Sequence, residues 1–256
     1  MNRIRLDEDW TLCQTKGNET SGRIFKLKHI PCQVHDALIQ EGIIENPNLK
    51  GFNYDRWIGK SDWRYEKIFS LEYISGSWNL VLEGLDTYAD IYFNGVRVAR
   101  NESAYMPCRI EGLTGVQKGE NRLCLEFKAP EQVLKEIELP EKYGEYVPDF
   151  CKARVFRSGF HDFSGPHPDL VRIGIYGHIW LEQVKTNGFR DITATVQMDP
   201  DLSWGKIISE ISYWDDSQEK ETLHYIIKDP AGRVVLEGEE NASHILEICL
   251  EEPMLW

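Results

Sequence analysis

The sequence lacks any run approaching the ~18 consecutive apolar residues of a membrane-spanning helix. Its opening, MNRIRLDEDW, has none of the apolar stretch of a secretory leader. A cytoplasmic location is therefore the expectation, with periplasm and lysosome left open. Positive charge is in short supply: 29 Lys and Arg face 42 Asp and Glu, a formal net charge of −13. That balance repels phosphate backbones and argues against a nucleic-acid partner. The six cysteines form no CxxC pair, and Cys13, Cys124 and Cys249 sit in apolar or alternating runs. Buried free thiols, rather than a disulfide framework, follow from that pattern. His161, Asp162, His167 and Asp169 stand close together, but their spacing matches no zinc site. No metal and no cofactor are expected, and nothing identifies ligands for a structural calcium.

Aromatic residues are abundant, with eight Trp, eleven Tyr and ten Phe among 256 residues. Sugar C–H faces pack on such rings, but a β-rich core uses them equally well. The most informative stretch is Gly84–Gly95, GLDTYADIYFNG. Ala89, Ile91 and Phe93 alternate with Tyr88, Asp90 and Tyr92, which predicts a strand with one buried face. Asn94-Gly95 then supplies the two φ > 0 positions of a type I′ turn, and Val96–Ala99 reads as the return strand.

Around this hairpin the chain alternates short strands and turn signals. Residues 4–13 read as one strand, 24–27 as a second, and Trp57–Phe69 as another. Pro31–Ile44 carries helical spacing at Val34, Ala37 and Leu38, closed by Gly42. Arg122–Phe127 is a period-two strand after the turn Gly119-Glu120-Asn121. Residues 130–148 are charged, with a short helix near 133–135, and 173–181 returns to strand. Five further strands follow from Asp191, with Asp229–Gly232 as a hairpin turn. This rhythm predicts an all-β protein of two sandwiches, at 1–184 and 188–256. The second has about 65 residues where an immunoglobulin-like sandwich takes ~100, so it is expected to be incomplete.

Several segments line up in order with family 2 glycoside hydrolases, β-mannosidases especially. Pro31-Cys32-Gln33-Val34-His35 resembles the entry segment of that family. Trp57-Ile58-Gly59 with Asp62-Trp63-Arg64-Tyr65 and Phe69 resembles its W-x-G…DW-x-Y…F strand. Gly84–Ala89 with Asn94-Gly95 is similar to its GLDTYA…NG hairpin, Gly119-Glu120-Asn121 to its GEN turn, and Gly174-Ile175-Tyr176 through Trp180-Leu181-Glu182 to its GIW…V-x-L strand. Pro253–Trp256 resembles the opening of its P-x-LWWP-x-G segment.

The resemblance implies a galactose-binding-like jelly-roll β-sandwich followed by an immunoglobulin-like β-sandwich. It also implies a catalytic (β/α)₈ barrel beyond this chain, carrying both glutamates of a retaining β-glycosidase. The isolated chain is then expected to be inactive, and the barrel of the same polypeptide to be its partner. The ligand would be a terminal β-linked sugar; a homodimer is left open. Where β-mannosidases read roughly HFGWDWGP, this chain has Arg157–Pro166, RSGFHDFSGP. By that resemblance Asp162 is the counterpart of the sugar-binding aspartate, with Phe163 and either Phe160 or His161 where the family has tryptophans, and with one extra residue. Asn101 resembles an asparagine that points at the sugar. The missing indoles keep β-galactosidase and β-glucuronidase specificities open. A stand-alone carbohydrate-binding module is the alternative from another class.

Overall fold

The computed structural model describes residues 3–46, 56–138, 172–184, 188–214 and 222–253. The chain divides into two compact units, residues 1–183 and 184–256.

The first unit is built on a six-stranded sheet. Its strands run in the order β3 (Ile24–His29), β2 (Glu8–Lys16), β5 (Asp62–Leu71), β11 (Gly119–Phe127), β8 (Ala89–Phe93) and β9 (Val96–Asn101), and every neighbouring pair is antiparallel. A four-stranded sheet runs β1 (Arg3–Arg5), β13 (Ile179–Gln183), β6 (Trp78–Leu82), β10 (Cys108–Ile110). A small third sheet joins β4 (Cys32–Gln33), β12 (Gly174–Ile175) and β7 (Leu85–Asp86). Alternation decides what faces inward. Trp10, Leu12, Trp63, Tyr65, Ile91, Phe93, Leu123 and Leu125 from the six-stranded sheet share one core with Leu80, Leu82, Ile179 and Leu181 from the four-stranded sheet. This is the jelly-roll-type sandwich the pattern predicts. On the outer face of the larger sheet, charges pair across strands: Arg64 with Glu126, Arg122 with Glu66, and both Arg97 and Arg100 with Asp90.

Two predicted strands prove to be four. The run 4–13 breaks after Arg5, so that β1 joins the four-stranded sheet and β2 the six-stranded one. Likewise 173–181 divides into β12 and β13, which serve different sheets. An apolar alternation records that side chains point inward, and both sheets share the same interior. The pattern is therefore blind to the crossing. The helix predicted at 31–44 is shorter: α1 spans Val34–Gln40. Asp36 caps it by accepting the Gln33 amide at 2.9 Å, and Gly42 at φ +65° lets the chain leave. The helix near 133–135 is α2 (Pro130–Glu136), entered through Pro130 at its first position.

The second unit has a three-stranded sheet, β14 (Phe189–Met198), β15 (Trp204–Tyr213), β18 (Ile245–Glu251), and a two-stranded one, β16 (Thr222–Lys228) with β17 (Val234–Asn241). It is immunoglobulin-like in its strand rhythm. Its buried cluster consists of Ile211, Tyr213, Leu223, Ala242, Leu246 and Ile248. All ten residues of the edge strand β14 are exposed, although Ile192, Ala194, Val196 and Met198 alternate as a buried face would. Among the described residues of this three-stranded sheet, buried side chains lie on β15 and β18 and none on β14. The five described cysteines, Cys13, Cys32, Cys108, Cys124 and Cys249, are free thiols.

Candidate functional site

The hairpin's entry and exit come together at one end of the six-stranded sheet. Asn101, the last residue of β9, lies opposite Ala89, the first of β8. The alternation of β9 turns its side chain inward, where it is only 5% exposed. Its amide Nδ2 donates to the Thr87 carbonyl at 2.7 Å and to the Ser103 carbonyl at 3.0 Å. Those two bonds use both amide hydrogens. Beside it, Thr87 Oγ1 donates to Asp86 Oδ1 at 2.6 Å, and both residues are buried.

The loop that follows, Glu102–Pro107, is held from the other side by Tyr176. That hydroxyl donates to the Ala104 carbonyl, and the Tyr176 amide donates to the Gly84 carbonyl at 3.0 Å. Gly84 is required here because a Cβ would lie 2.5 Å from the Tyr176 ring. The Tyr105 amide donates to Ser103 Oγ at 3.2 Å, and Ala104 is buried. The same loop exposes two large side chains, Tyr105 at 64% and Met106 at 69%.

On the outer face of the same end lies a cleft of about 450 Å³, lined among others by Lys16, Asp62, Tyr88, Asp90, Arg100 and Lys128. Its charges are mutually engaged. Arg100 donates through Nε and Nη2 to the two Asp90 oxygens, at 2.9 and 3.2 Å. Hydrogen bonding to Arg100, helped by the charges of Arg100, Arg97 and Lys128, holds the Asp90 carboxyl below the usual carboxylate range against a smaller opposing effect of burial. Lys16 Nζ donates to Gln132 Oε1 at 2.6 Å, and Lys128 lies 3.7 Å from Asp62. No group of three or more His, Cys, Asp or Glu side chains able to hold a metal occurs among the described residues.

Of the residues singled out from sequence, Asn101 is described. His161, Asp162 and Phe163 lie outside the described residues, as do Arg157, His167 and Asp169. Thr87, Ser103 and Tyr176 were not anticipated as parts of this end. For Tyr176 the signal was Gly84 shortly after β6 and Gly177 beside Tyr176, where a Cβ would lie 2.6 Å from the Gly84 amide nitrogen, the mark of a close approach of two backbones.

The strand order and the shared core define an antiparallel β-sandwich domain, and comparison with known proteins places that domain in a family. The glycosyl hydrolase 2 galactose-binding domain-like family matches residues 10–177, and the chain belongs to that family. It is 26% identical over 208 residues to beta-mannosidase B of Thermothelomyces thermophilus, covering 78% of this chain and 24% of that protein. Against the beta-mannosidase of Mus musculus the identity is 32% over 108 residues, 40% of this chain and 12% of the relative. The chain thus spans about a quarter or less of these relatives. Among solved structures, the beta-D-mannosidase of Dictyoglomus thermophilum superposes with a TM-score of 0.78 at 23% identity, covering 100% of this chain and 32% of that one. A beta-glucuronidase from an uncultured Clostridium gives 0.62 at 17% identity, covering 100% and 40%. These superpositions carry the fold.

Proposed function

We propose that the chain is the N-terminal, non-catalytic part of a retaining exo-β-glycosidase that acts on terminal β-linked mannosides. The observation that carries this reading is the sequence likeness to β-mannosidases over 78% of the chain, on top of membership in the glycosyl hydrolase 2 family. Retaining hydrolysis needs two carboxyl groups ~5–5.5 Å apart, one as nucleophile and one as acid/base. In this reading they belong to a catalytic barrel of ~250 residues elsewhere in the same polypeptide. The first unit frames that barrel, and its Asn101 end borders the sugar pocket. Asp162, flanked by His161 and Phe163, accepts hydrogen bonds from neighbouring sugar hydroxyls. An ionised carboxylate accepts two such bonds at once and strengthens both.

The test has two stages. An immunoblot of source cells should detect a polypeptide several times heavier than the 29.7 kDa of this chain. That full polypeptide should then hydrolyse an aryl β-mannoside in preference to the β-galactoside and β-glucuronide, while the 256-residue chain alone hydrolyses none. In the full polypeptide, Asp162→Ala should cost at least about tenfold in kcat/KM, the equivalent of ~1.4 kcal/mol of transition-state stabilisation. A native band near the mass of this chain would overturn the enzyme reading. A preference for another sugar would overturn the mannoside assignment alone.

A further inference from the structure

We infer that the cleft between α2 and the end of the six-stranded sheet is a carbohydrate-binding site, which holds a neutral sugar unit through the charged side chains of its wall. The inference goes beyond the glycosidase reading, because it concerns residues of this chain alone and is tested on this chain alone. The cleft's volume of about 450 Å³ falls within the ~300–1,000 Å³ of small-molecule sites. Gln132, Val133 and Glu136 line it from α2; Lys16, Asp62 and Ala89 line it from the ends of β2, β5 and β8. Asp90, only 6% exposed, anchors the wall: both its oxygens accept from Arg100, and Arg97 Nε lies 3.0 Å from Oδ1.

Each of the other charged groups is held by a neighbour and keeps capacity in reserve. Two of the five N–H donors of Arg100 are spent on Asp90. Lys16 spends one of its three on Gln132 Oε1. Lys128 Nζ lies 3.7 Å from Asp62, beyond hydrogen-bond reach. Glu136 Oε1 accepts from Gln132 Nε2 at 3.1 Å, and its other oxygen has no donor among the described residues. Side chains already held in place lose little further freedom when a ligand arrives.

The charges select against an ionic occupant. Lys16, Arg100 and Lys128 match Asp62, Asp90 and Glu136 in number. Arg97 and Glu102, which act on Asp90 and Arg100 from outside the lining, cancel as well. A phosphate or carboxylate would meet the three carboxylates along with the three cations, and an amine the reverse. The reserve donors and acceptors are instead spread around an apolar strip of Ala89, Val133 and Ile137. A pyranose has the matching form: hydroxyls that donate and accept around its edge, and a C–H face for the strip. Ionised partners strengthen each bond to such a hydroxyl.

Titration of the 256-residue chain with β-1,4-mannobiose, lactose and cellobiose, followed by amide NMR shifts, tests this. At least one disaccharide should bind saturably with a Kd in the millimolar range, with its largest shifts at Lys16, Ala89, Lys128 and Gln132. Lys128→Ala and, independently, Glu136→Gln should each weaken that binding at least about threefold by removing a charged partner of a hydroxyl. Both side chains stand at the surface, and Lys16→Ala serves as a third variant where either fails to fold. Shifts that never saturate, saturable shifts that lie elsewhere, or variants that bind as the parent does would overturn the inference. So would the same shifts raised by sodium sulfate or free glycine at lower concentration, which would make this an ion site. Any of these results leaves the glycosidase reading standing, since that reading stands or falls on turnover by the full polypeptide.

Discussion

His35 lies in the first turn of α1, and burial pushes its imidazole down to about 4; the nearby Asp36 acts against this and Arg172 adds to it. An unfolded chain would protonate the same ring near pH ~6.5. The unfolded state therefore binds the extra proton between those values, so the His35 contribution to stability is complete above pH ~6.5 and is lost as pH falls toward ~4. At ~1.4 kcal/mol per unit the loss is about 3 kcal/mol. Urea unfolding of this chain at pH 7, 5.5 and 4.5 should show that decline, and His35→Gln should flatten it. A variant with the same pH slope as the parent would remove His35 from the account. At this scale the sequence is a poor guide. His35 stood inside a helical pattern with nothing to mark it as buried. Asn101 was legible as a polar residue just after the return strand, but its place as the last residue of β9 and its commitment to Thr87 and Ser103 depend on where two other segments run.

The β8–β9 hairpin was the most legible element, because every signal in it is local. Period-two alternation set which face is buried, and Asn94-Gly95 set the turn. Asn94 has φ +47° and Gly95 φ +83°, as a type I′ turn requires. What the dipeptide did not reveal is that Asn94 also ties the turn to the next segments. Its Nδ2 donates to the Gly115 carbonyl at 2.8 Å and to Asn121 Oδ1 at 3.0 Å, while its Oδ1 accepts the Arg122 amide at 2.7 Å. The two turn residues should therefore respond differently to alanine. Around Gly95 a Cβ meets nothing within 4 Å, so Gly95→Ala pays only the left-handed backbone strain, about 1 kcal/mol. Asn94→Ala pays similar strain and also loses the side-chain bonds, leaving the buried Asn121 without one partner. A total of about 2–3 kcal/mol is expected. Chemical denaturation of both variants checks the order; a Gly95→Ala loss equal to or larger than that of Asn94→Ala would contradict it. The strand expected over Trp57–Phe69 opens instead with a 3-10 helix, Arg56–Lys60, before β5, and the runs that sequence took as single strands, 4–13 and 173–181, are those whose partners lie in two different sheets. Strand Arg3–Arg5 pairs with Trp180–Glu182 across most of the first unit, and no local pattern encodes that pairing.

Across the whole molecule, the division into two units was legible as a restart of strand rhythm near residue 188, but the difference in their cores was not. Thirty described residues form the buried cluster of the first unit, including Trp10, Trp63, Tyr65, Phe25, Phe93 and Phe127; six form that of the second. The second unit holds 73 of the 256 residues, well over a fifth of the chain, with a sixth of the buried cluster. A strand such as β14 contributes backbone hydrogen bonds to β15 but no buried side chain, so it adds ordering cost with little hydrophobic return. Small domains are marginal even when their cores are full. Expressed alone, residues 1–184 should unfold in one cooperative transition, followed through the environments of Trp10 and Trp63. Residues 188–253 alone should show weak amide dispersion in NMR spectra and a broad thermal transition. Dispersed amides and a sharp transition from the second fragment would mean that six buried side chains and two small sheets suffice. The exposed face of β14 would then be an ordinary solvent-facing surface.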